Sequence, residues 1–327
     1  MDDLLCIADA NGGYLLRHQL NDLGYRDSAI RQATRAGVLR RVRHGTYVFA
    51  SVWDLLSASE RLATLTRSVL DKLGPAVVAT HQSASALHGH DLWGADLTTV
   101  HVSVLDGRRG RTEAGVVYHE GSIDVEDDIV QVDGRQVIEP RRAVFESCSL
   151  LGIEGGMVLA TSAMRDLGIS REELEADGHR FKHWPGMRNA RMSIRLADPR
   201  LESVGEVRSL FMMWSNGVPR PELQWEVVTS GGVLVARVDF AWIDDHHTGE
   251  FDGLVKYGRL NPHATDVGRV LTDEKWREDA VRAESLGMSR WGWADLGGAK
   301  GTATAMRINQ GRAQSRRLHS RNRTTIV

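Results

Sequence analysis

The sequence predicts an α+β protein of several domains, and three observations carry that expectation. Three short helix-like segments run into an arginine-rich ribbon within the first fifty residues. Strands and helices then alternate irregularly through the middle. The C-terminal third holds a hairpin with carboxylates set among apolar strand residues. A chain of 327 residues is long enough for two or three domains. Its 42% hydrophobic and 26% charged residues match an ordinary globular protein, which excludes the disordered and fibrous classes. No apolar run approaches membrane-spanning length, so no membrane partner is expected. Cys6 and Cys148 are too few for a disulfide scaffold and MDDLLCIADA is no signal peptide, so the expected location is the cytoplasm. The net charge of −2 says nothing about nucleic acid, but the arginines are clustered: Arg26, Arg31, Arg35, Arg40, Arg41 and Arg43 crowd one early stretch, and another basic cluster follows Leu296.

Residues 3–10 form a first helix with Leu4, Leu5, Ile7 and Ala8 on its apolar side, stopped by Gly12-Gly13. Residues 15–23 make a second helix, ended by Gly24, and Asp27 caps a third over 28–36. Residues 38–43 and 46–50 pair as a hairpin turned at His44-Gly45. Helices followed by such a ribbon outline a winged helix-turn-helix over residues 1–52. In that geometry the third helix offers Arg31, Gln32 and Arg35 to the major groove, and the wing adds Arg41 and Arg43. Taken alone, the i, i+4 spacing of Arg31 and Arg35 also describes a solvated helix face. The run GYLLRHQLNDLGYRDSAIRQATRAGVLRRVRHGTYVFA, above all GVLRRVRHGTYVF, resembles the winged-helix domain of the AbiEi-type antitoxins of type IV toxin-antitoxin systems. That resemblance implies double-stranded promoter DNA as a partner, repression of the protein's own operon, and a cognate toxin.

Residues 53–73 read as one amphipathic helix with Ser57 and Glu60 near its start. In the following HQSASALHGHDLW, the spacing of His81, His88 and His90 fits no compact zinc site, so His81 and Ser83 are expected to cap and fix a core helix. The likeness to the antitoxins extends to about Ala176. Strands over 98–104 and 115–119, a hairpin of 128–132 with 136–138, and helices over 141–150, 155–166 and onward from Ser170 give an α+β middle domain over 53–177. It shows no catalytic constellation, and its run Asp124, Glu126, Asp127, Asp128 is expected to be solvated. Residues 178–200 form a basic linker, read either as a solvated helix face or as a stretch lying along DNA beside Trp184.

The C-terminal domain, 201–296, opens with a helix over 203–214 carrying Glu206 and Arg208. A strand follows from PRPELQWEVV, then a hairpin of 237–243 with 250–255. An even loop puts Asp239, Glu250 and Asp252 on one face, since side chains alternate with period two. Like charges so placed repel, and a bound divalent cation, Mg²⁺ or Mn²⁺, is the economical explanation. A salt bridge from Asp239 to Arg237 or Arg259 is the structural alternative. A charged helix over 274–286 and a strand from MSRWGWADL complete the domain, and the basic tail 297–327 lacks apolar periodicity and is expected to be disordered.

VDFAW followed by GEFDG, with Glu206 upstream and Lys256 downstream, resembles the core of the PD-(D/E)XK nucleases, particularly the very-short-patch-repair-like branch. The resemblance implies an α/β restriction-endonuclease-like fold. It makes Asp239 and Glu250 the metal ligands, Lys256 the group that positions the attacking water, and Glu206 an outer ligand. The chain departs from the pattern where a lysine should stand two residues after the acid, since it has Asp252 there. Two function classes follow. One is a DNA-binding protein with a metal-dependent nuclease domain acting in phage defence. The alternative is an AbiEi-like repressor whose nuclease-like domain has lost chemistry and serves for binding or homodimer contacts.

Overall fold

A computed structural model of the chain describes residues 2–105, 107–229, 231–253, 281 and 284–319. It separates into two compact units, Met1–Arg195 and Leu196–Val327.

The first unit begins with α1 (Asp2–Asn11), β1 (Leu15–Leu16), α2 (Arg17–Asp22), α3 (Asp27–Arg35), β2 (Leu39–Arg43) and β3 (Thr46–Phe49). The strands form a sheet of order β1-β3-β2. Leu4, Ala8, Leu15, Leu20, Ile30, Leu39 and Phe49 gather in one buried cluster, so each element contributes at least one apolar side chain. Leu15 and Leu16, expected to open the second helix, are instead a short strand paired with Tyr47 and Thr46. The extended backbone explains the difference: it sends Leu15 into that cluster and Leu16, with Tyr14, into another around Val48.

Next come α4 (Ala50–Trp53) and α5 (Ala58–Leu73), where one helix was expected. The capping box of Ser57 with Glu60 restarts the helix after a break. β4 (Val77–Ala79), α6 (His81–Leu87), β5 (Val100–Val104), β6 (Arg111–Glu113), β7 (Val116–His119), β8 (Ile129–Val132) and β9 (Arg135–Ile138) follow. Their mixed sheet has the order β6-β7-β5-β4-β9-β8. Val77, Ala79, Val100, Val102, Val137 and Ile138 on its strands pack with Leu62 and Leu70 of α5 and Ala84 and Leu87 of α6.

The helices α7 (Pro140–Leu150), α8 (Ile153–Leu167), α9 (Arg171–Asp177) and α10 (Met187–Leu196) complete this part of the chain. Asp128, expected in a solvated acidic run, is buried because Arg142 and Arg180 pair with its two oxygens. The basic stretch after 178 does not lie free as a linker. Phe181, Met187, Ala190 and Ile194 are buried, while Lys182, His183, Arg188, Arg191 and Arg195 are exposed, which is the solvated-face reading. α10 sits so close to α8 that a Cβ on Gly156 would lie 2.3 Å from Ser193 Oγ.

The second unit consists of α11 (Val204–Ser215), β10 (Glu222–Val228), β11 (Leu234–Trp242), β12 (His247–Asp252), β13 (Gly287–Gly292) and α12 (Gly298–His319). The sheet order is β10-β11-β12-β13, with the first two pairings antiparallel and β12–β13 parallel. α11 is capped by Ser203, whose side chain accepts the Glu206 N–H.

The tail expected to be disordered is ordered over 298–319 as α12. Its buried positions, Gly301, Thr304, Ala305, Ile308, Arg312 and Ser315, recur at helical spacing, but all except Ile308 are small or polar. Charge and hydrogen bonds supply what large apolar groups do not. Asp245 is paired with Arg312 Nη2 at 2.6 Å and with Arg316, and Ser315 Oγ lies 2.9 Å from His247 Nδ1. Burial holds the His247 imidazole down at about 4, so it sits neutral among these groups. Asp245→Ala should therefore destabilise the chain by about 3 kcal/mol, because it leaves the buried Arg312 without its carboxylate. Urea unfolding measures this, and a loss within a few tenths of a kcal/mol would show that the helix does not depend on the pair.

Candidate nucleic-acid interface and a polar row across the second sheet

On α3 the spacing decides what is presented. Ile30 is buried, while Ser28, Arg31, Gln32 and Arg35 are exposed along one face. Other arginines of the segment are already engaged. Arg17 pairs with Asp27, which starts the helix, and Arg40 pairs with Asp54 at 2.6 Å. Arg31, Gln32 and Arg35 have no side-chain partner among the described residues.

The wing separates the two arginines assigned to it. Arg41 is exposed, its Nε directed at the Arg43 carbonyl at 3.4 Å. Arg43, expected at the DNA surface, instead donates from Nη2 to the Ala114 carbonyl at 2.6 Å and from Nη1 to that of Gly115 at 3.2 Å. Its fixed fork meets two carbonyls of the β6–β7 turn, and burial lowers its pKa. Lys72 of α5, to which the sequence gave no role, holds the wing from behind. Its Nζ donates to Thr46 Oγ1 at 2.7 Å and to the His44 carbonyl. Only the folded arrangement brings Lys72 to the wing, so no local sequence signal could have assigned it.

In the second unit, register builds a polar row across all four strands. Leu223↔Phe240 and Trp225↔Val238 bracket Gln224 opposite Asp239, and Phe240↔Gly249 places Asp239 next to Glu250. Glu250 in turn lies directly opposite Arg290. Gln224 has φ +52, in the left-handed region, at the one skipped position of its ladder. Its Nε2 donates to Glu206 Oε2 at 2.9 Å, which ties α11 to the row.

Glu206, Asp239 and Glu250 all have protein contacts. Glu206 Oε2 also accepts the Glu202 N–H at 2.9 Å, and its Oε1 accepts Ser203 Oγ at 2.6 Å, so it serves the helix cap. Asp239 Oδ2 accepts the Phe251 N–H at 2.8 Å, and Glu250 is paired with Arg290 at 2.7 Å. Arg237, considered as a partner for Asp239, pairs with Glu202 at 2.6 Å. Asp252 shares its strand face with Glu250, as the alternation required. Lys256 and Arg259, and with them the helix expected over 274–280, lie outside the described residues. Among those described, three ligand-type side chains converge within 4.8 Å at His81, His101 and His119 and not at these carboxylates.

Also among the described residues, no helix is long and apolar enough to cross a membrane. Residues 2–50 match the family described as transcriptional regulators, AbiEi antitoxin. Uncharacterized proteins from two strains of Mycobacterium tuberculosis are each 32% identical over 219 residues, which is 67% of this chain and 75% of theirs. The chain thus belongs to one family with these mycobacterial proteins, and its residues 2–50, folded as a winged helix, are similar to the AbiEi-antitoxin transcriptional regulators.

Proposed function

We propose that the chain is a DNA-binding repressor of the AbiEi-antitoxin type, reading duplex DNA with α3 and the outer edge of the wing. The exposed Arg31–Gln32–Arg35 face carries the reading, because it is the unpartnered polar face of α3 in a winged helix of the regulator family. Arg41 adds a phosphate contact from the wing, whereas Arg43 keeps the wing in place. A cognate toxin and a second copy of the chain are the protein partners of this proposal, and both rest on the family likeness. Replacing Arg31 and Arg35 together by Ala should weaken binding to the chain's own promoter, at about 1–3 kcal/mol for each base edge left unread. Fluorescence anisotropy on that duplex measures it. A uniform loss across sequences, with the salt slope reduced by about one per cation removed, would reassign both arginines to phosphates. Unchanged affinity would overturn the interface.

A second reading, a metal-dependent nuclease acting in phage defence, is favoured by one observation. Strained Gln224 joins Glu206 to a row containing Asp239 and Glu250, and strain of this kind concentrates at functional sites. In that reading Asp239, Glu250 and Asp252 hold Mg²⁺ or Mn²⁺ and Lys256 completes the centre. The repressor reading expects Mg²⁺ to leave duplex DNA uncleaved and the melting temperature of the intact chain unmoved. Cleavage in Mg²⁺ that disappears in Asp239→Asn and in Glu250→Gln, with promoter binding retained, would establish the nuclease instead.

A further inference from the structure

The middle domain brings together three histidines that are far apart in sequence. His81 opens α6, His101 lies in β5 and His119 ends β7. β5 and β7 run parallel, with His101 opposite Val117 and His119 opposite Ser103, so both imidazoles stand on the same face of the sheet two positions apart. The chain leaving β4 delivers His81 to that face. Its backbone is locked there by the Thr80 N–H, which donates to the His101 carbonyl at 3.1 Å, and by the His101 N–H, which donates to Ser83 Oγ at 2.8 Å.

The ring geometry is that of a ligand set drawn together. His101 Nδ1 and His119 Nε2 are 2.8 Å apart, and the His81 and His119 rings stack with centroids 3.8 Å apart. One nitrogen from each ring lies within 4.8 Å of the other two. Zn–N bonds of about 2.0–2.1 Å in a tetrahedron put ligand nitrogens about 3.3 Å apart, and the His101–His119 spacing lies within about half an ångström of that.

Two features are hard to explain without a ligand. His81 has φ +50, a backbone conformation costly for a residue with a Cβ. Its Nδ1 is buried without a hydrogen-bond partner. Beside it stands a carboxylate that holds the His81 backbone and leaves Nδ1 free to coordinate. Glu146 Oε2 accepts the His81 N–H at 3.1 Å and lies 3.6 Å from Nδ1, while Glu146 Oε1 is held by Arg142 at 2.8 Å. Burial lowers the pKa of all three rings, which leaves them neutral with lone pairs to give. The sequence offered His81, His88 and His90 for weighing, at a spacing that fits no compact site. His88 instead has Nε2 2.8 Å from the Ile138 carbonyl, and neither it nor His90 joins the cluster.

We propose that His81, His101 and His119 form a Zn²⁺ site, with Glu146 as the residue that positions His81. Three neutral imidazoles suit Zn²⁺ and offer little to hard ions such as Mg²⁺, and they leave a fourth position to water or an added ligand. The test uses the full chain, freed of metal with EDTA and titrated with ZnCl₂ by calorimetry. The parent is expected to bind one Zn²⁺ at this site. His119→Gln and His101→Gln should each weaken that binding at least a hundredfold, while His88→Gln leaves it unchanged. Circular dichroism of the metal-free variants confirms that they fold. If a variant unfolds, the Co²⁺-loaded parent decides: intense visible bands of a four-coordinate, nitrogen-rich site are expected, and the weak bands of octahedral Co²⁺ would overturn the proposal. So would the absence of Zn²⁺ binding by the parent, or affinity unchanged in a folded His119→Gln.

Discussion

What the winged helix can present depends on how Arg135 joins it to the middle sheet. Standing at the start of β9, Arg135 donates from Nε to Asp71 Oδ1 at 2.6 Å and from Nη2 to the Asn11 carbonyl at 3.1 Å. Fully buried Tyr14 donates to the other oxygen of Asp71. Burial pushes the Asp71 carboxyl up, but its bonds to Arg135 and Tyr14 outweigh that and hold it below the usual range. Burial raises the Tyr14 hydroxyl, which therefore stays protonated and keeps donating. One guanidinium thus gathers α1, α5 and β9. Lys72 and Arg43 tie the wing to α5 and to the β6–β7 turn, and in the proposed function such anchoring would lower the cost of ordering the wing on a duplex.

Elements whose signals were local could be read from the sequence. The hairpin around Asp133-Gly134 and the Ser170–Glu173 box formed where periodicity and turn chemistry put them, whereas the returning strand of the carboxylate hairpin begins at His247, inside the expected turn. Elements stabilised by distant partners could not be read that way. α12 has the period of a helix but fills much of its inner face with Gly, Thr, Ala and Ser, and partners on other elements, Asp245 and His247, explain its order. Asp128 looked like one more solvated acid because its arginines come from positions 142 and 180. Leu15-Leu16 looked helical because two residues cannot display a period of two.

The same limit applies to the candidate sites. Arg31, Gln32 and Arg35 were legible because a helix face is a local property, whereas Arg43 changed role on meeting carbonyls seventy residues further along the chain. Carboxylates inside an apolar strand were a true signal of conflict at Asp239 and Glu250. The fold resolves part of that conflict within the protein, through the Phe251 amide and Arg290. A charge that breaks a pattern marks a place where the protein must supply a partner, and the pattern alone does not distinguish a metal ion from an arginine. The imidazole cluster is the converse case, since its members break no pattern and only topology unites them.

The central claim is that α3 reads duplex DNA from one groove, and hydroxyl-radical footprinting of the intact chain on its own promoter tests it most directly. The account predicts short protected segments on the two strands flanking a single major groove, unaffected by EDTA, with weaker protection beside them where Arg41 of the wing reaches the backbone. A duplex left evenly cleaved at low salt, with the protein in excess, would contradict it.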